Sequence, residues 1–123
     1  MLLNDFFTIE NIETTDTEVK AELLINPGHK IFEGHFPGQP VVPGVCMMEM
    51  VKEVIEHVTG KKTKLVKAQE MKFLAIIDPS RNNRINAVIK YNAGEDGSLN
   101  VVASCFKDEL IHFRFKGLFT TGN

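Results

Sequence analysis

Only one stretch of this chain reads convincingly as a long helix, its apolar residues recurring at helical spacing; the rest of the pattern is mostly strand. Val19, Ala21, Leu23 and Ile25 alternate with Glu18, Lys20, Glu22 and Leu24 until Asn26-Pro27-Gly28 ends the run. Ile85, Ala87, Ile89 and Tyr91 do the same between the Asp78-Pro79-Ser80 turn and the turn at 94–98. Residues 99–106 are apolar on both faces, and Ile111, Phe113, Phe115 and Phe119 alternate with His112, Arg114 and Lys116. Lys107-Asp108-Glu109 is short enough to make these last two strands a hairpin. Weaker strand signals cover residues 6–12 and 64–74.

The helical stretch runs over residues 43–59. Pro43 suits a first helical position, where its missing N–H is no loss; Gly60 suits the residue after the helix, and Lys61 and Lys62 complement the negative end of the dipole. Met47, Met48, Val51, Val54, Ile55 and Val58 gather on one side and Glu49, Lys52, Glu53 and Glu56 on the other. About six strands with hairpin-length links and one helix of ~24 Å define an α+β fold, an antiparallel sheet packed on that helix. Covering the remaining face or edges of such a sheet favours a symmetric dimer.

A length of 123 residues leaves room for one domain, spanning 1–123. With 43% apolar and 24% charged residues it has the make-up of a soluble globule, and a net charge of −2 gives no basic excess for nucleic acid. No basic, apolar leader opens the chain and no apolar run reaches membrane-spanning length, so no membrane association and a cytoplasmic location are expected. Cys46 and Cys105 are expected to be reduced thiols, Cys46 as a packing residue rather than a nucleophile. His29, His57 and His112 lack ligand spacing, so no metal is expected; Met47, Met48 and Met50 read as core or channel lining and not as a cofactor box.

Chemistry concentrates in residues 34–49, which hold three of the five prolines and three of the nine glycines. Fixed φ at Pro37, Pro40 and Pro43 and permissive backbone at Gly34, Gly38 and Gly44 hold this loop in one conformation as it enters the helix. An imidazole on such a loop, His35, with a carboxylate about a turn and a half into the helix, Glu49, makes a candidate acid–base pair.

The run His35-Phe36-Pro37-Gly38-Gln39-Pro40-Val41-Val42-Pro43-Gly44-Val45, with a carboxylate fourteen positions after the histidine, resembles the signature of the hotdog-fold 3-hydroxyacyl-acyl-carrier-protein dehydratases. Residues 68–74 and Asp78-Pro79 are similar to the strand and turn that follow the helix in that family, though less specific. The resemblance implies a hotdog fold, a sheet wrapped around one long central helix, and elimination of water from a 3-hydroxyacyl thioester to give the trans-2-enoyl thioester in fatty acid or related lipid or polyketide synthesis. It implies acyl carrier protein as partner, no cofactor, and a homodimer, or a higher oligomer of dimers, in which the histidine and carboxylate of one site come from opposite subunits.

The residue types agree with that reaction. The weakly acidic C2 hydrogen needs a base, and neutral imidazole suits near-neutral pH, so His35 is the expected base. The C3 hydroxyl leaves only with a proton, which a buried carboxyl can supply, so Glu49 is the expected acid. Charge developing on the thioester oxygen calls for N–H donors at the helix start, Gly44 and Val45, with the Gly38 amide as a further candidate.

Glu53 and Glu56 share the charged face with Glu49 and are read as surface or dimer-contact charges. Lys52 and Glu53 replace an Ala and a Gln that the family tends to carry there. Residues 1–60 carry three basic and ten acidic groups, whereas 61–84 carry seven and two. Carrier proteins are acidic, so Lys61, Lys62, Lys64, Lys67, Lys72, Arg81 and Arg84 form a candidate docking surface. Two alternatives stay open: a thioesterase on the same fold, with Glu49 acting on water or the carbonyl, and a non-catalytic hotdog partner subunit that binds acyl carrier protein.

Overall fold

A computed structural model describes residues 1–34 and 40–121. Strands β1 (Phe7–Thr14) and β2 (Glu18–Ile25) come first, followed by a short helix α1 (Ile31–Gly34) and the long helix α2 (Gly44–Thr59). Strands β3 (Thr63–Phe73), β4 (Arg84–Ala93), β5 (Ser98–Lys107) and β6 (Leu110–Thr121) complete the chain. All six strands form one antiparallel sheet in the order β1-β2-β4-β5-β6-β3. Every strand and the long helix expected from periodicity are present; the single turn of α1 carries no apolar repeat to announce it.

Alternation along each strand gives the sheet a buried and an outward face. One inward row crosses it through Ala21, Ala87, Cys105 and Phe113, another through Val19, Ile89, Ala103 and Phe115, all buried. Strand β5 follows the same rule: Leu99, Val101, Ala103 and Cys105 point inward, while Val102 is half exposed on the outer face, so its apolar run is not buried on both sides. Met47, Met50, Val51, Val54 and Ile55 of α2 join this core with Phe6, Phe7 and Phe119.

The 16-residue helix α2 stops at Gly60, whose left-handed φ of 70° lets its N–H reach the Glu56 carbonyl at 2.9 Å. At the other end Pro43 is extended (φ −61°, ψ 145°) and caps the helix from outside, so the first helical residue is Gly44 and not Pro43 as expected. A proline's fixed φ fits either position.

Strand β3 differs from the others. It pairs only with β6, and both inward rows end on it in side chains that little covers: Met71 is 37% exposed and Phe73 50%. Leu65 and Val66 are exposed further along the same edge. Exposed Leu65, Val66, Met71 and Phe73 on so long an edge are apolar side chains of the kind another chain normally covers.

Candidate active site

Helix α2 is delivered to its starting point by a main-chain link, Val42 N–H to the Ile77 carbonyl at 2.9 Å, with both side chains buried. The Cys46 and Met47 amides bond to the Pro43 carbonyl at 3.0 and 3.3 Å. The Gly44 and Val45 amides precede them and have no acceptor within the helix, which leaves them as donors at the positive end of its dipole. Val45 is 74% exposed. A groove of about 350 Å³ opens here, lined by Val41, Val42, Pro43, Gly44, Met47, Phe73, Leu74, Ala75 and Ile76. Apolar walls, with N–H groups at one end that have no acceptor among the described residues, suit an acyl chain ending in a polar carbonyl.

Gly44 has a second reason to be glycine. The Phe73 ring lies against it, so that a Cβ at position 44 would meet the ring at 2.8 Å. Phe73 in turn stacks on the buried Phe113.

Glu49 is the sixth residue of α2 and is half-buried. Burial first, then a hydrogen bond with Glu53, pushes its carboxyl up to about 7; Lys52 opposes the rise, and the charges of Glu53 and Glu56 reinforce it. A carboxyl of that kind still holds its proton close to neutrality and can donate it. Cys46 is buried nearby, and burial together with the Glu49 charge raises its thiol, the opposite of a nucleophilic thiolate. Both cysteines are free and buried.

His35 and Gly38 lie outside the described residues, so the structure describes neither the distance from His35 to Glu49 nor the second amide candidate. Of the basic set, all seven side chains are exposed. Lys72 pairs with Glu70 at 3.0 Å, Arg81 with Asp78 at 3.8 Å and Arg84 with Glu22 at 2.8 Å. Among the described residues no ion pair engages Lys61, Lys62, Lys64 or Lys67, which follow one another from the end of α2 along the first half of β3. Arg84, at the start of β4, is separated from β3 by two intervening strands.

Two helical carboxylates are not the solvated charges expected of their face. Glu53 is only 2% exposed, and its carboxylate accepts the Leu2 N–H on both oxygens at 2.9 Å and the Leu3 N–H at 2.7 Å. Glu56 is half-buried and accepts the Thr63 N–H at 2.7 Å and its hydroxyl at 3.2 Å, tying the start of β3 to the helix. The helical wheel carries a partial signal for Glu53, which falls between Glu49 and the buried pair Cys46 and Met50. The N-terminal segment that covers it has no such signal.

A sequence model described as ApeI-like, the ApeI dehydratase, matches residues 11–110. The 3-hydroxyacyl-acyl-carrier-protein dehydratase FabZ of Mannheimia succiniciproducens is 36% identical over 66 residues, 54% of this chain and 43% of that protein. That of Blochmanniella pennsylvanica is 32% identical over 102 residues, 83% of this chain and 63% of that protein. The chain thus matches about half the length of these relatives. Among solved structures, the dehydratase heterocomplex ApeI:P from Xenorhabdus doucetiae superposes with a TM-score of 0.70 at 21% identity, over 89% of this chain and 95% of that one. A sigma28-regulated virulence protein from Campylobacter jejuni gives 0.72 at 12% identity, over 97% and 85%. These likenesses in shape fit the six-stranded antiparallel sheet and its helix to the hotdog fold. With the family model covering most of its length, the chain belongs to the ApeI-like family of hotdog-fold dehydratases.

Proposed function

We propose that this chain, one domain over residues 1–123 working in the cytoplasm, dehydrates a 3-hydroxyacyl thioester carried on acyl carrier protein to the trans-2-enoyl thioester. The observation that carries the reading is Glu49, a half-buried carboxyl that keeps its proton to about pH 7, on the helix whose start opens into an apolar groove. In this reading the acyl chain lies in the groove and its thioester oxygen accepts the Gly44 and Val45 N–H groups, with Gly38 as a further donor. The His35 imidazole removes the C2 proton, the C2–H electron pair becomes the C2–C3 double bond, and the C3–O bond breaks as Glu49 protonates the departing hydroxyl. Water leaves, and His35 and Glu49 then exchange their protons with solvent to reset.

The apolar β3 edge supports a homodimer, with His35 of one copy and Glu49 of the other serving one acyl chain. Lys61, Lys62, Lys64 and Lys67 are the docking cations that the reading retains, since Lys72, Arg81 and Arg84 are engaged locally.

An assay on a series of carrier-bound 3-hydroxyacyl substrates tests this, with His35→Ala and Glu49→Gln as controls. Interconversion of hydroxyacyl and enoyl forms with the thioester intact, lost in both variants, is the expected result. Release of free thiol would make the chain a thioesterase, and activity only on mixing with a second hotdog subunit would make it a partner subunit.

A further inference from the structure

Glu53 stands one helical turn after Glu49, the spacing at which two side chains of a helix meet. It is buried, and three N–H···O contacts from Leu2 and Leu3 converge on its carboxylate. Those donors are themselves held. The segment before β1 closes on itself through Phe6 N–H to the Leu2 carbonyl and Asn4 N–H to the Phe7 carbonyl, both 2.7 Å, and Phe6 and Phe7 anchor it in the core. The donors therefore reach Glu53 from a fixed turn.

A carboxylate whose lone pairs already receive N–H donors is disfavoured as the carrier of a proton, because protonation would turn an acceptor into a donor facing donors. Among the described residues no N–H donor reaches Glu49, and the four-residue spacing sets its carboxyl beside that of Glu53. Only one proton fits between two carboxyl groups in contact, and it belongs on the one without N–H partners.

We propose that Glu53, clamped by the Leu2 and Leu3 amides, is the positioning residue of Glu49: it accepts the Glu49 hydrogen bond and fixes on which carboxyl group the shared proton sits. This deepens the dehydratase reading and rests on it for the role of Glu49. The direction of both titrations agrees. Burial raises Glu53, but the hydrogen bonds from Glu49, Leu2 and Leu3 outweigh it and hold Glu53 below the usual carboxylate range. The other charged or titratable groups around the pair are Cys46, Lys52, Glu56 and His57 on the same helix, the α-amino group of Met1, and Lys61 and Lys62, which line one cavity with Glu53. Of these, Lys52 acts on Glu49 against the proposed effect.

Carbon-13 NMR titration of the glutamate carboxyl groups tests the proposal without any substrate. In the unmodified protein Glu49 should titrate near pH 7, well before Glu53 as pH falls; the reverse order would overturn the proposal. In Glu53→Gln the Glu49 midpoint should drop by about one unit or more, as loss of a contacting carboxylate implies. The basic limb of kcat should move acidward by the same amount, with KM little changed. A residue that merely pins the N-terminal segment would lower Tm and leave the Glu49 midpoint in place, which would also overturn it. Glu53→Asp should restore part of the shift. A Glu49 midpoint that moves as expected in a protein without dehydratase activity would support the pairing and overturn the functional reading instead.

Discussion

The rings of Phe73 and Phe113 stack with centroids 5.0 Å apart and planes inclined by 24°, and the outer ring covers Gly44 at the start of α2. One aromatic pair thus joins the free edge strand to the helix end where the thioester would be held. A side chain at position 44 must push Phe73 off Phe113. Gly44→Val is expected to cost about 1 kcal/mol, the worth of such a pair, and to reduce turnover strongly. Adding Phe73→Leu should cost little further stability in thermal unfolding, because the stack is already lost, and should leave the rate low. Full recovery of the rate would assign the defect to packing and remove the Gly44 amide from the reaction.

Glu49 makes stability depend on pH in a direction that can be checked. Its carboxyl is raised in the folded protein, so the folded state holds a proton that the unfolded chain releases. The resulting stabilisation is complete below the ordinary carboxylate range and is lost as pH rises to about 7 and beyond. Glu49→Gln, which cannot ionise, should therefore be more stable than the parent by about 1–2 kcal/mol at pH 8, after allowance for solvent screening. That difference should vanish near pH 4. Urea unfolding at both pH values measures it, and an equal difference at both would contradict the raised carboxyl.

The β3 edge should hold the second copy. Leu65 and Val66 are exposed on it, and Met71 and Phe73 end inward rows that α2 leaves open. The opposite edge, β1, is exposed along most of its length but offers a single exposed large apolar side chain, Ile12. Val66→Lys is expected to weaken self-association by at least about tenfold, or roughly 1.4 kcal/mol, in sedimentation equilibrium. An unchanged association constant would place the contact elsewhere.

Carrier recognition should follow Lys61, Lys62, Lys64 and Lys67, which no ion pair engages among the described residues. Lys61→Glu with Lys62→Glu should lower kcat/KM on carrier-bound substrate and flatten its salt dependence, while leaving turnover of a small thioester analogue unchanged. Arg84→Glu should act chiefly by breaking the contact with Glu22, seen as lost stability. Equal effects of the two changes on carrier-linked rates would restore the wider basic surface.

Strand alternation and an amphipathic helix make most of the architecture legible in the amino-acid sequence. Period two at residues such as Val19 to Ile25 and the Gly60 stop signal are local properties, set by backbone geometry and by which side chains must leave water. The Pro- and Gly-rich approach to α2 marks residues 34–49 as the candidate site, through residue types with few other uses. Glu49 was legible only from its spacing to His35, because the helix pattern alone puts it with the solvated charges.

By itself, then, the chain determined its six strands, its long helix and the carboxylate that the helix offers. Only the tertiary structure decided that Glu53 is buried under Leu2 and Leu3, that Glu56 receives Thr63, and that Phe73 closes on Gly44. These pairs are far apart in sequence, and a carboxyl group's proton affinity depends on what surrounds it in space. No local pattern encodes which amide will arrive beside a given side chain once the core has closed.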